Sequence, residues 1–348
     1  MKKHNAFKVA FILVALVGLL AACGEKSQED VVAKLQETTE DLDGYKATAE
    51  MAMNTGSEEQ TFAIDVWFQK DNKYRVKLEN GMDQQESQII LKNDDGVFVL
   101  TPALDKSFKF QTEWPDNSSQ PYLFQSLVTD VVNDPEATFE STDNHYVFKT
   151  KTNYQSNNNL PFQEVYFDKD AFTPAMVKVL DKDGNALVNV TFSEFELDPT
   201  FAEDDFSMEK NMEGAGNKEG EESSATEDIE ASGSVTDDLM VVYPQFTAGA
   251  ENTNKREVEM EDGARVILTF EGEKNFTLVE EKKLTENVMS QPQEVNGEII
   301  NLGNTIGALE ENTLQWTFGG VDYTLASDEL TREEMIQVAQ SVQGQVVK

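Results

Sequence analysis

The stretch Phe62-Ala63-Ile64-Asp65-Val66-Trp67-Phe68, followed by a turn signal at Asp71-Asn72 and then by Tyr74-Arg75-Val76-Lys77-Leu78, decides the fold. Phe62, Ile64, Val66 and Phe68 alternate with Ala63, Asp65 and Trp67, and Tyr74, Val76 and Leu78 alternate with Arg75 and Lys77. A period of two is the signature of a strand with one face turned to a core. The same rhythm predicts strands over 86–92, 96–102, 106–112, 145–151, 161–168, 175–181 and 186–196. Asn80-Gly81, Asp94-Asp95-Gly96 and Asp183-Gly184-Asn185 supply the tight turns between them. Successive strands joined by short turns form an antiparallel meander, not a doubly wound sheet. The rows expected to face inward are Phe62, Ile64, Val66, Phe68, Tyr74, Val76, Leu78, Ile90, Phe98, Phe108, Phe110, Phe148, Val165, Phe167, Val177, Val179, Val188, Val190 and Phe192. Two arrangements satisfy this pattern. The rows fill a packed core, or a strongly twisted, half-closed sheet leaves a hollow between them.

Two helices belong to the same region. Ser27 and Asp30 offer a capping pattern, and Val31, Val32, Leu35 and Leu42 follow at near-helical spacing, so 28–42 reads as an amphipathic helix stopped by Gly44. Pro121 to Asn133 carries Leu123, Leu127, Val128, Val131 and Val132 at helical spacing and reads as a second.

Toward the amino end, Lys2, Lys3 and Lys8 precede an almost wholly apolar run from Val9 to Leu20, closed by Leu20-Ala21-Ala22-Cys23. This is the order of a secretory leader over 1–22. The apolar run is shorter than the ~20 residues a helix needs to cross a bilayer. Residues 23–27 form a tether of at most ~3.5 Å per residue, which keeps the first domain near its point of attachment.

Composition narrows the function classes. The chain has 348 residues and a formal charge of -37, and loss of the leader's lysines makes the remainder more negative still. Such acidity excludes nucleic acid as a partner, because phosphate recognition needs a positive surface. It also opposes adsorption to anionic headgroups. Cys23 is the only cysteine, so the folded region offers no disulfide, zinc thiolate or cysteine nucleophile. The histidines are His4 and His145, and the second sits at the start of a predicted strand, a poor setting for a general base. Asp181-Lys182-Asp183-Gly184-Asn185 has acids at the spacing of a calcium loop, but its glycine falls at the fourth position, and it reads as a hairpin turn. Gly214, Gly216 and Gly220 follow no strand and make no phosphate loop. No motif calls for a cofactor, a metal or catalysis.

Residues 209–238 lose all aromatics and fill with Glu, Gly, Ser and Asp, the composition of an acidic, solvated linker. It separates a domain at 28–208 from a smaller one at 239–348. In the latter, strands are expected at 240–247, 255–260, 264–271 and 274–281. A less regular stretch at 297–310 precedes a hairpin at 313–325 turning at Gly319-Gly320. A last helix starts at Thr331, with Glu334 completing a capping box and Met335, Ile336, Ala339 and Val342 as its apolar face. The fold class expected is mainly β with α+β character: a half-open antiparallel barrel with a helical lid, plus an α+β domain.

Three sets of residues carry a family resemblance. Leu20-Ala21-Ala22-Cys23 resembles a bacterial lipobox, which implies that the Cys23 thiol receives a diacylglyceryl group and becomes the first residue of the mature chain. Two acyl chains suffice for stable anchoring. Lys73-Tyr74-Arg75-Val76, Ile90, Asp95-Gly96-Val97-Phe98-Val99-Leu100 and Thr101-Pro102 resemble the early strands of the LolA/LolB-like lipoprotein-carrier superfamily. Val165-Tyr166-Phe167-Asp168, Phe172-Thr173-Pro174, Val177 to Asp181, Gly184, Val190-Thr191-Phe192, Phe195 and Phe206 resemble its closing strands and aromatic tail. This resemblance spans about 28–208. It implies an incomplete barrel, a helical lid and an apolar cavity for acyl chains, whose lining here would be Phe62, Ile64, Val66, Phe68, Tyr74, Val76, Phe98, Phe108, Phe110, Phe148, Phe167, Val179, Val190 and Phe192. Members include soluble carriers, anchored acceptors and a stress regulator of the RseB type with a second, smaller domain. Trp316 to Phe318, Gly319 to Leu325, Leu330 to Ile336 and Ala339-Gln340-Ser341 resemble a C-terminal domain of Gram-positive exported lipoproteins, which implies the outer face of a plasma membrane. Two functions follow as expectations: an anchored, non-enzymatic binder of a lipid, lipopeptide or other apolar ligand, or a regulatory or assembly module that binds another membrane protein in envelope stress or sporulation.

Overall fold

A computed structural model describes residues 26–54, 59–80, 87–112, 119–154, 160–213, 239–260, 263–283, 291–303 and 305–342. The leader, Cys23 and most of the linker lie outside the described residues. Helix α1 (Gln28–Asp41) opens with the expected capping box: Asp30 N donates to Ser27 Oγ and Ser27 N donates to the Asp30 carboxylate, both at 3.2 Å. The Ser27 hydroxyl also donates to that carboxylate at 2.8 Å, and this bond, with the one from Ser27 N, holds the Asp30 carboxyl below its ordinary range. Val31 and Leu35 form the buried stripe of α1.

The first sheet takes β1 (Gly44–Met53), β2 (Gln60–Gln69), β3 (Lys73–Asn80), β4 (Gln88–Asn93), β5 (Gly96–Thr101) and β6 (Lys106–Phe110) as a meander. After α2 (Phe124–Asn133) come β7 (Thr138–Ser141), β8 (His145–Lys151), β9 (Phe162–Asp168), β10 (Pro174–Leu180) and β11 (Ala186–Leu197). β11 returns to pair with β1, so the two meanders join at the middle of the sheet. The register places Tyr45 opposite Phe68, Ala47 opposite Val66 and Met51 opposite Phe62 on one side, and Met51 opposite Val190 on the other. A short strand from the C-terminal region, β15 (Gln293–Val295), adds to β6 in parallel and makes a twelve-stranded sheet with edges at β15 and β7. The sheet is open, as expected of an unclosed barrel. β7 and β15 were not legible: the first has four residues and the second three, too short for a period to show.

One face of this sheet is a continuous apolar core. α2 contributes Phe124, Leu127, Val128 and Val131 to it, and α1 packs beside α2. Phe124 N donates to the Tyr45 hydroxyl at 3.2 Å, which fixes the helix start over β1. The opposite face is covered where α3 (Met208–Glu213) lies. There Ile89, Leu91, Phe98, Leu100 and Phe206 form a second cluster, with Trp67, Phe201, Met208 and Met212 packed against it. Phe98 therefore does not face inward; its neighbours Val97 and Val99 do. Strand β5 is buried on both faces, so alternation of size, not of polarity, carried the misreading. Residues 209–213, expected as linker, are helical in α3, because Met208 and Met212 find this cluster.

The C-terminal sheet runs β12 (Ala250–Met260), β13 (Gly263–Gly272), β14 (Phe276–Lys283), β19 (Val321–Ala326), β18 (Thr313–Phe318), β17 (Ile306–Glu310) and β16 (Glu298–Asn301). Helix α4 (Arg332–Val342) packs on it through Met335, Ile336, Val338, Ala339 and Val342. Its capping box is present: Glu334 N donates to Thr331 Oγ1 and Thr331 N to the Glu334 carboxylate. Residues 240–247, expected as a strand, instead form an extended strap. Pro244 lacks a ladder donor, and the strap's bonds go to side chains: Val242 N donates to the Glu280 carboxylate and Phe246 N to Ser341 Oγ.

The two sheets meet along more than the β15–β6 ladder. Ile299, Ile306 and Ala308 belong to the core cluster of the first sheet. Gln88 Nε2 donates to the Thr317 carbonyl at 2.8 Å, Lys106 pairs with Asp322 at 3.0 Å, and Asn301 Nδ2 donates to Gln120 Oε1 at 2.8 Å.

Candidate binding cavity

Of the residues expected to line a hollow, Phe62, Ile64, Val66, Phe68, Val76, Phe110, Phe148, Phe167, Val179 and Val190 are buried in the main core, and Tyr74, Phe108 and Phe192 pack against it partly buried. They meet one another and the helices. Tyr45 stacks on Phe195 at 4.9 Å between ring centroids, Phe124 stands edge-on to Phe195 at 5.6 Å, and Phe148 stands edge-on to Phe167 at 6.0 Å. These contacts build a packed interior around α2. Phe98 lies on the other face.

The hollow lies beside this set, at the end of the first sheet where the C-terminal region packs. A cavity of about 460 Å³ is bounded on the shell side by Met51 and Met53 of β1, Leu187 and Val188 of β11, Pro121, Tyr154 and Leu160, with Asp181 and Lys182 at the β10–β11 turn. The C-terminal region supplies Asn301 at the end of β16, Leu302 and Gly303 after it, Gln245 and Phe246 of the strap, and Gln337, Gln340 and Ser341 of α4. The volume falls within the ~300–1,000 Å³ of ligand pockets. Of the residues read as inward rows, only Val188 touches it. Met51 and Met53 share its alternation with Tyr45, Ala47 and Ala49, but methionines among small residues gave no aromatic row to follow. The strap and α4 residues could not be placed, because their position depends on docking of the second domain.

The Asp181 turn is the hairpin expected. Its Oδ1 accepts from Asp183 N and Asn185 N, its Oδ2 from Asn185 Nδ2, all at 2.8 Å, and these bonds hold the carboxyl below its ordinary range. Gly184 takes a left-handed φ of +86° there. Behind the cavity wall sits a buried polar cluster. Asp130 of α2 accepts from Ser119 Oγ at 2.8 Å and Gln163 Nε2 at 2.7 Å, and burial pushes its carboxyl up to about 6 against those bonds. Burial also raises the Tyr122 and Tyr154 hydroxyls. Tyr122 Oη, Gln120 Nε2 and Gln163 Oε1 have no hydrogen-bond partner among the described residues.

His145 meets the Tyr166 ring edge-on at 6.1 Å on β8 and is not among the cavity's lining residues. Among the described residues no group of three or more His, Cys, Asp or Glu could hold a metal, and no helix is long and apolar enough to cross a membrane.

A family model described as "Sporulation protein YdcC-like" matches residues 1–206. Sporulation protein YdcC of Bacillus subtilis (strain 168) is 45% identical over 348 residues, covering 100% of this chain and 99% of the relative. Among solved structures, the complex of Pseudomonas aeruginosa MucA/MucB is similar at 15% identity and a TM-score of 0.34, over 91% of this chain and 100% of the matched one. A LolA superfamily protein from Nitrosomonas europaea is similar at 12% identity and a TM-score of 0.29, over 53% of this chain and 100% of that one. The structure of the CwlD amidase from Clostridioides difficile with the GerS lipoprotein contains a chain similar at 17% identity and a TM-score of 0.23, over 50% of this chain and 97% of that one.

Proposed function

Because the chain belongs to the sporulation protein YdcC-like family, we propose that it is a non-enzymatic binding protein of sporulation, anchored through an acylated Cys23 at the outer face of a plasma membrane. Its ligand is a lipid, lipopeptide or other molecule with an apolar part, and that part enters the cavity between the two domains. One observation carries the reading: the shell interior is filled by its own side chains, whereas a cavity of about 460 Å³ with an apolar shell-side wall opens beside it. An acyl chain against Met51, Met53, Leu160 and Leu187 gains about 25 cal/mol per Å² of apolar surface covered. The anchor keeps such a protein at one membrane, so it holds or presents its ligand and does not ferry it across an envelope.

Two measurements test this. Native mass spectrometry of the full chain carrying Cys23→Ala, incubated with a fluorescent acyl-chain probe, is expected to show one bound molecule. Leu187→Trp, which fills the cavity from a half-buried position, is expected to abolish uptake and leave the melting curve near that of the parent. Equal uptake by both proteins would overturn the cavity reading. The anchor is tested separately: radiolabelled palmitate should mark the wild type and not Cys23→Ala, and equal labelling would remove Cys23 from the account.

A further inference from the structure

We infer that the cavity selects an amphiphile with an uncharged, hydrogen-bonding head, of the amide or hydroxyl class, over a carboxylate- or ammonium-headed molecule of the same chain length. This rests on the proposed binding of an apolar group in that cavity and specifies its other half.

The two walls differ in chemistry. The shell side is apolar apart from Asp181 and Lys182 at its turn. The wall from α4 and the strap presents Gln337, Gln340, Ser341 and Gln245. Gln337 and Gln340 stand three apart on α4, on the same side of the helix. Ser341 Oγ is occupied: it accepts from Phe246 N at 3.1 Å and donates to the Val338 carbonyl at 2.8 Å. The side chains of Gln245, Gln337 and Gln340 make no hydrogen bond among the described residues. Each carries one carbonyl oxygen and one NH₂ group, so the wall can both donate and accept.

An amphipathic helix ordinarily gives its polar face to water, and in a chain with 65 acids against 28 lysines and arginines that face should be rich in carboxylates. α4 has Glu333 and Glu334 in its first turn. Its cavity-facing residues are all neutral. Among the described residues the only carboxylate bordering the cavity is that of Asp181, and both its oxygens are spent on its own turn. Among the described residues the only cation bordering it is Lys182, exposed on that same turn. A free carboxylate head would meet no buried cation and would be opposed by the net charge of the whole chain. An ammonium head would meet no free anion within the cavity. A neutral head that donates and accepts matches the glutamines.

The test uses dodecanamide, dodecanoate and dodecyltrimethylammonium as competitors of the acyl probe on the full Cys23→Ala chain. The amide should bind about tenfold tighter than either ion, and Gln337→Leu/Gln340→Leu should reduce that preference to about twofold or less. The single variant Gln340→Met, similar in length, provides the same readout should the double variant fail to fold. Equal affinity for the three heads, or tighter binding of dodecanoate, would overturn the head selection and leave apolar binding standing. Failure of all three to compete would overturn the proposed function itself.

Discussion

Two positions on one strand show how differently the same sheet can be used. Tyr45, at the start of β1, is fully buried, with Phe68, Phe124 and Phe195 around its ring at 5.5, 6.3 and 4.9 Å. Met53, at the end of β1, borders the cavity. Both point to the same face, eight residues apart, as a period of two requires. The contrast lies in what stands opposite them. At Tyr45 the helix α2 and the aromatic end of β11 close the space, and at Met53 the C-terminal region spans it with loops and glutamines. A family of side chains facing inward is thus no measure of emptiness: the most aromatic rows are the most fully occupied.

The sharpest way to break this contrast is to truncate both sides of it. Phe124→Ala removes a fully buried ring from the closed end and should cost about 3–5 kcal/mol, the usual range for a buried aromatic. Met53→Ala should cost clearly less, because one side of its side chain already borders open space. Urea denaturation of the full chain followed by circular dichroism measures both. Equal losses would mean that the two ends are packed alike.

A second prediction concerns a group enclosed as completely as Tyr45 but charged. Glu280 on β14 has no exposed surface, and burial raises its carboxyl from 4.5 to about 7, with Val242 N and Lys255 pulling it back. A raised carboxyl means that the folded protein holds more protons than the unfolded chain between those values. Stability therefore falls as pH rises from about 4.5 through 7 and is flat above that window. Glu280→Gln keeps an acceptor for Val242 N and removes the charge. It should raise the stability of the C-terminal domain at pH 8 by something on the order of 3 kcal/mol and change it little at pH 4. Thermal melts across pH measure this. An unchanged pH slope in the variant would show that Glu280 is not the responsible group.

The sequence disclosed these regions unequally, for physical reasons. The meander was legible because Phe62 to Phe68 and Tyr74 to Leu78 each have one polar and one apolar face, and the helices α1 and α4 because Ser27–Asp30 and Thr331–Glu334 cap them locally. Phe98 misled because β5 is covered on both sides, so nothing polar marks its outer face. Residues 240–247 misled because Met240-Val241-Val242-Tyr243 has strand composition, while its neighbours are side chains of other elements and not a ladder. The cavity was the least legible feature. Met53, Leu187, Leu302 and Gln340 are scattered over most of the chain; β1–β11 pairing joins the first two, and the packing of the C-terminal sheet on the first, through β15 on β6, Ile299, Ile306 and Ala308 in the core, and Asn301 on Gln120, brings the others to them.

That last contact gives the smallest and most local prediction. Asn301 Nδ2 donates to Gln120 Oε1, and Gln120 is 2% exposed, with its Nε2 already unpartnered among the described residues. Asn301→Ala would leave the whole Gln120 carboxamide buried without that partner, and an unmet buried acceptor costs about 1–3 kcal/mol. Water entering from the cavity can repay part of this, so a loss of about 1 kcal/mol is expected. Because the bond ties the C-terminal domain to the segment before α2, the loss should be concentrated at the mouth. Hydrogen exchange should quicken in β16 and in residues 119–123 and stay unchanged around Tyr45. Acceleration spread evenly over the first sheet would mean that mouth and interior form one cooperative unit, and the distinction between a filled end and a hollow one would then be geometric only, without separate stability behind it.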